Sequence, residues 1–216
     1  ARMGKELWTD AGKGDLISLY AAFNELDEAY FVVDRIKAWV NEGGLRQDAA
    51  ILYRSNAQSR QFEEKLMATG TPYRVYGGLR FFERAEIKNA LAYLRLMSNR
   101  DDDASFERVI NTPTRGLGAK AIDDIRLIAK DQSISLWSAA IALLNQKAMS
   151  PRAKNALVGF LELIDRLDGL TAELELYEKV QLVNEQSGLT NLYKNEKGDR
   201  GEEKLENLDE LINAAR

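Results

Sequence analysis

At Gly77-Gly78 the hydrophobic pattern of this 216-residue chain changes period. Before the glycines, short apolar runs alternate with helical faces. Leu16-Ile17-Ser18-Leu19-Tyr20-Ala21-Ala22-Phe23 reads as a buried strand. Asn24, with Asp27 three positions on, is suited to cap a helix whose apolar face is Leu26, Ala29, Tyr30, Val33, Ile36 and Val40. Gly43-Gly44 stops that helix. Ala49–Tyr53 is a second apolar run, and Ser55 with Gln58 has capping-box spacing ahead of Phe62, Leu66 and Met67. Thr71–Tyr76 is a third run. Strand, helix, strand, helix, strand predicts a parallel sheet, incomplete with three strands. After the glycines only the helical period remains. Helical faces recur from Ile87 to Met97, Ala104 to Ile110, Ile122 to Ala129 and Leu136 to Leu144. A further helix opens at Ser150-Pro151, an N-cap and N1 pair. More turns follow from Leu174 to Val183 and from Leu205 to Ile212, the last still in register near Arg216, as in a piece of a longer chain. Lys194 to Lys204 reads as a charged surface loop. The expected fold class is therefore α/β plus α, a partial parallel sheet followed by a mostly helical part.

Composition narrows the chemistry. The chain has no cysteine and no histidine. Disulfides, thiol nucleophiles, imidazole bases and zinc sites built on those ligands are excluded, and the lack of cysteine fits a reducing cytoplasm. No apolar run approaches the roughly 18 residues of a membrane helix, so no membrane partner is expected. The net charge of −4 is uneven: residues 77–130 carry 10 basic and 8 acidic side chains, whereas 131–216 carry 10 and 15. A polyanion would meet the first or middle part, and the last part would repel it.

Three stretches carry candidate chemistry. Tyr53-Arg54-Ser55-Asn56-Ala57-Gln58-Ser59-Arg60 stands where an apolar run gives way to a helix. A helix start offers N–H groups to an anion, and Arg54 and Asn56 add donors; equally, Ser55 caps the helix and Arg54 pairs with a surface acid. In Gly77-Gly78-Leu79-Arg80-Phe81-Phe82-Glu83-Arg84 the glycines permit a hinge. There Arg80 and Arg84 interleave with aromatics that either stack on bases or anchor the core. Asn111-Thr112-Pro113-Thr114-Arg115-Gly116-Leu117-Gly118-Ala119-Lys120 places a Gly-x-Gly turn between two helices. It is similar to the helix-hairpin-helix pattern, whose turn amides hold one phosphate of a nucleic-acid backbone while a nearby cation adds charge. A plain helix-helix turn is the alternative. Asp101-Asp102-Asp103 suits a helix start better than a metal site. Gly12-Lys13-Gly14 lacks the spacing of a phosphate-binding P-loop.

These strings, with Phe23-Asn24-Glu25-Leu26-Asp27-Glu28-Ala29 and Leu205-Glu206-Asn207-Leu208-Asp209-Glu210-Leu211, resemble UvrD-type DNA helicases of superfamily 1, the UvrD/Rep/PcrA family, in fixed order along the chain. The resemblance implies that residues 1–76 are part of the second RecA-like motor lobe (2A). It implies that 77–216 are most of its helical, duplex-binding insertion (2B), truncated at its C-terminal end. It implies an ATP-dependent 3′-to-5′ helicase of DNA repair or replication, using ATP and Mg2+ in the intact protein. The ATPase motifs have no counterpart in this chain, so it is expected to be inactive alone, with no catalytic, cofactor or metal residue. Arg54 and Asn56 match a motif implied to contact single-stranded DNA, and Arg80 a basic position near DNA. Thr114, Arg115, Gly116 and Gly118 match a turn implied to grip duplex DNA, with Lys120 beside it. Leu117 stands where the family more often has isoleucine. Gly77 and Gly78 match the swivel hinge. The resemblance further implies a bacterial, cytoplasmic, nucleoid-associated protein with single-stranded and duplex DNA as partners, and other DNA repair proteins besides. The alternative reading is an acidic helical protein-interaction or autoregulatory module.

Overall fold

A computed structural model describes residues 14–76, 78–146 and 149–216. Ten α-helices run through the described residues. They are α1 (Glu25–Asn41), α2 (Ser59–Ala68), α3 (Ala85–Ser98), α4 (Asp103–Val109), α5 (Ala119–Gln132), α6 (Leu136–Leu144), α7 (Pro151–Thr171), α8 (Leu176–Gln186), α9 (Leu189–Lys194) and α10 (Asp199–Ala214). Short 3-10 turns occupy Arg46–Asp48, Asn56–Gln58 and Phe81–Glu83.

Local side-chain chemistry starts these helices. Asn24 Oδ1 accepts from Asp27 N at 2.9 Å, and Ser150 Oγ accepts from Ala153 N at 3.3 Å ahead of Pro151. Asp102 accepts from the backbone N–H (3.0 Å) and hydroxyl (2.7 Å) of Ser105. Those hydrogen bonds to its charged form hold the Asp102 carboxyl below the usual range. Asp103 accepts from Leu136 N at 2.7 Å, at the start of α6. Two carboxylates of the Asp101–Asp103 run are thus engaged at helix starts.

The expected parallel sheet is overturned: the structure is 67% helical, and no strand forms among the described residues. The three apolar runs form no regular secondary structure. Leu16, Ile17, Leu19 and Phe23 are almost wholly exposed, as are Leu52 and Tyr76. An apolar run shows that a segment has surface to bury. A sheet also needs a neighbour to complete the ladder, and these runs do not pair with one another. The expected loop from Lys194 to Lys204 is also corrected, because α10 begins at Asp199. Gly201 lets its first turn lie against the end of α9; a Cβ there would stand 2.5 Å from the Tyr193 carbonyl. The charges that suggested a loop lie on the outer face, with Lys204 paired to Glu196 at 2.6 Å.

The chain divides into two compact units, Ala1–Ala49 and Ala50–Arg216. In the first, Tyr20 stacks on Phe31 with ring centres 3.7 Å apart and donates to Asp27 at 2.9 Å. The second holds the main core, built from α3 to α10. Phe106, Trp137 and Phe160 form an aromatic cluster in it, Phe106 meeting the other two edge-on. Segment 50–76 belongs to this second unit.

Candidate nucleic-acid interface

The turn between α4 and α5 is built from the inside. Asn111 ties its two ends: Oδ1 accepts from Arg115 N at 2.8 Å, and Nδ2 donates to the Leu117 carbonyl at 3.1 Å. Leu117 is buried. Arg115 does not point outward. Its guanidinium donates to the carbonyls of Val109 (2.9 Å), Pro113 (3.1 Å) and Ser187 (3.4 Å) and to the Tyr93 hydroxyl. It also lies 5.3 Å from the centre of the Phe160 ring. Tyr93 in turn donates to the Thr112 carbonyl at 2.6 Å. Burial pushes the Tyr93 phenol up against the pull of Arg115, so the hydroxyl keeps its proton and the relay from Arg115 to Thr112 stays intact.

The outer side of this turn is open. Thr114, Gly118 and Lys120 are exposed. Gly116 has φ +84, a conformation that side chains rarely adopt. Gly118 is the residue before α5, and a Cβ there would meet nothing within 4 Å. The backbone N–H groups of residues 116–120 donate to no acceptor among the described residues. Five consecutive free amides with Lys120 beside them can hold an anion.

The stretch at 54–60 is different. Arg54 and Asn56 are exposed, but the Gln58 side-chain oxygen accepts from the N–H groups of Arg54 (2.9 Å) and Ser55 (3.1 Å). This is the capping box expected from Ser55 and Gln58. Arg54, Ser55 and Gln58 face a groove whose other wall is α10, with Glu206, Asp209 and Glu210. Asn56 Nδ2 lies 3.5 Å from Glu203 Oε2. Burial and the neighbouring Glu206 push the Asp209 carboxyl up. Arg80 is exposed, its guanidinium 5.2 Å from the centre of the Tyr73 ring.

Beneath this loop lies a polar network that sequence reasoning missed. Arg84 is buried; it donates to the Asn56 carbonyl (2.8 Å), Ser59 Oγ (2.7 Å) and Asn207 Oδ1 (2.7 Å). Burial lowers its pKa, opposed by Glu63 and Glu86. The buried Glu63 carboxylate accepts from Ser59 Oγ, Tyr73 Oη and Phe81 N. Arg60 bridges Glu64 at 2.8 Å and Glu210 at 2.6 Å. Burial works to lower the Arg60 pKa, and its carboxylate partners outweigh that and raise it. Of the aromatics beside Arg84, Phe81 is fully buried and Phe82 is 42% exposed, so Phe81 is a core anchor. Gly77 lies outside the described residues. Gly78 is exposed, with open space around a Cβ. The only sequence signal for Arg84 was its place beside two aromatics, and its hydrogen-bond partners Asn56, Ser59 and Asn207 lie far from it in the chain.

The profile of the UvrD-like helicase C-terminal domain matches residues 1–216. DNA helicase II of Escherichia coli (strain K12) is 55% identical over 215 residues, 100% of this chain and 30% of that protein. ATP-dependent DNA helicase UvrD1 of Mycobacterium tuberculosis (strain ATCC 25618 / H37Rv) is 39% identical over 217 residues, 99% of this chain and 28% of that protein. ATP-dependent DNA helicase PcrA of Bacillus subtilis (strain 168) is 38% identical over 216 residues, 100% of this chain and 29% of that protein. The chain therefore spans about 30% of the length of these bacterial relatives. With the profile matched along its whole length, the chain belongs to the UvrD-like helicase C-terminal domain family.

Proposed function

We propose that this chain is the part of an ATP-dependent 3′-to-5′ DNA helicase of repair or replication that holds DNA by its backbone. The observation that carries the reading is the run of free amides at 116–120 on a turn braced from within by Asn111, Tyr93 and Arg115. Gly116, Gly118, Thr114 and Lys120 meet phosphates of duplex DNA. Arg115 acts from behind and keeps the turn in shape. Arg54, Asn56 and Arg80 meet the single strand. Backbone contacts of this kind fix position without reading sequence. Residues 77–216 form the duplex-holding part and 1–76 belong with the motor, with Gly77-Gly78 as the swivel. The ties from Glu63 to Phe81 and from Arg84 to Asn56 and Ser59 span that swivel, so turning it requires their release.

ATP and Mg2+ are read as belonging to the intact helicase, and no residue of this chain is given a role toward them. Among the described residues no three carboxylates are grouped to hold a cation, and Asp102 and Asp103 are engaged at helix starts. No step through the nucleotide is assigned to this chain, and purified alone it is expected to turn over no ATP. Duplex affinity measured across a salt series tests the DNA reading. The logarithm of the binding constant is expected to fall with the logarithm of salt by about 0.9 per phosphate neutralised. A flat dependence, or ATP turnover by the 216-residue chain, overturns it.

A second reading is favoured by the acidic wall opposite Arg54. In it, α10 serves as an autoregulatory or partner-docking element, its carboxylates standing where DNA phosphates would. Partner binding that survives loss of Arg54, Arg80 and Gly118 supports this reading over the first.

A further inference from the structure

We infer that Arg152, in the first turn of α7, is the guanidinium that completes the phosphate-holding turn at 116–120; this rests on the duplex-holding reading above. The turn carries an arginine of its own, but Arg115 is spent on carbonyls and on Tyr93 inside the fold. Arg152 takes the outer position. A Cβ on Gly116 would stand 3.5 Å from both Nε and Nη2 of Arg152, so the guanidinium lies directly against the glycine. Arg152 is exposed, and its guanidinium has no carboxylate, carbonyl or ring partner among the described residues. An arginine fork left free beside five free amides suits the oxygens of a phosphodiester, which accept two parallel N–H bonds. Gly116 is required by its positive φ, and a Cβ there would stand at ordinary contact distance from the guanidinium.

The test uses the natural full-length protein and a fluorescent blunt duplex, with anisotropy read across a potassium chloride series. Arg152→Ala is expected to weaken duplex binding about tenfold at low salt, the scale of one charge-assisted hydrogen bond. The salt slope is expected to shrink by about one. Arg152→Lys keeps most of the slope and recovers part of the affinity, because it restores the charge without the fork. Single-strand affinity and melting temperature stay at wild-type values. If Gly118→Val weakens the duplex complex while Arg152→Ala matches wild type, the assignment of Arg152 is overturned and the duplex-holding reading stands. If neither variant changes duplex affinity, that reading falls and takes the inference with it. Affinity lost with an unchanged salt slope, or with a lowered melting temperature, makes Arg152 a structural prop and also overturns the inference.

Discussion

The loop at 54–58 and the turn at 114–120 carry similar residues in opposite settings. Each pairs exposed polar donors with the start of a helix. At the loop, the amides of Arg54 and Ser55 are already taken by Gln58, and the facing wall is a row of carboxylates on α10. At the turn, the amides are free and the neighbour is the unpaired Arg152. The loop is held from below by buried charges, whereas the turn is held by neutral carbonyls, a phenol and a single guanidinium. Similar local sequence therefore gives two different electrostatic sites. What separates them is which helix folds back against each, and that is a property of the tertiary fold.

The support beneath the loop should show the largest effect. Arg84→Ala leaves the Glu63 and Glu86 carboxylates buried without their cation and removes the ties to Asn56, Ser59 and Asn207. Breaking one side of a buried ionic network costs about 3–5 kcal/mol. Urea unfolding followed by circular dichroism measures it. A loss under about 1 kcal/mol would mean that the network contributes little and that the two sites are held alike.

Next in size is Gly118→Val, which attacks the turn without attacking the fold. A Cβ at 118 meets nothing within 4 Å, and the backbone there is in the extended region open to any residue. Stability should stay within about 0.5 kcal/mol. Duplex affinity should fall at least about tenfold, because the side chain fills the approach to the free amides. Arg54→Ala, by contrast, should lower single-strand affinity and leave duplex affinity alone. Parallel losses of both affinities in both variants would erase the distinction between the sites.

These outcomes bear on how much a sequence of this kind discloses. The helices were legible because their signals are local: Ser150 ahead of Pro151, Asn24 with Asp27, and apolar faces repeating at 3.6 residues. The Gly-Leu-Gly turn was legible for the same reason. The sheet was misread because strand pairing is non-local, and the runs at 16–23, 49–53 and 71–76 look alike with or without a partner. The inward aim of Arg115 depends on Tyr93, Phe160 and Ser187, and the burial of Arg84 on Asn207 and Glu63. Arg152 is joined to Gly116 only by the return of α7. Each is a contact between residues far apart in the chain, for which a linear pattern has no mark.

The acidic wall predicts a smaller effect of opposite sign at the loop. Replacing Glu206 and Asp209 by Gln and Asn removes two negative charges facing Arg54. Single-strand affinity should rise about two- to fivefold, the range expected of exposed charge pairs. Acidification mimics the substitution. The Asp209 pKa is raised by burial and by Glu206, so this carboxyl takes up its proton at a higher pH than an ordinary aspartate. Its charged form disfavours the fold, and a fall in pH through its folded pKa relieves that cost. Wild-type single-strand affinity should therefore grow as pH falls through the range in which Asp209 takes up its proton, more steeply than in the double variant. Identical pH profiles would remove the wall from the argument and leave the loop limited only by its occupied amides.

The least disruptive change tests whether the turn depends on the helix that leads into it. Asp102 caps α4 through two hydrogen bonds from Ser105, and α4 runs directly into Asn111 and the turn. Asp102→Ala should cost about 1 kcal/mol, as other N-cap losses do. Duplex affinity should be unchanged, because Asn111 and Arg115 fix the turn independently of the far end of the helix. The folded pKa of Asp102 lies below its unfolded value. Its contribution is thus complete above about pH 4 and is lost as pH falls through the folded value. The stability gap between wild type and Asp102→Ala, read from urea midpoints, should be present at neutral pH and close in strong acid. A gap that persists unchanged in acid would place its source outside the charged cap, and a matching loss of duplex affinity would mean that the turn is braced by α4 as a whole.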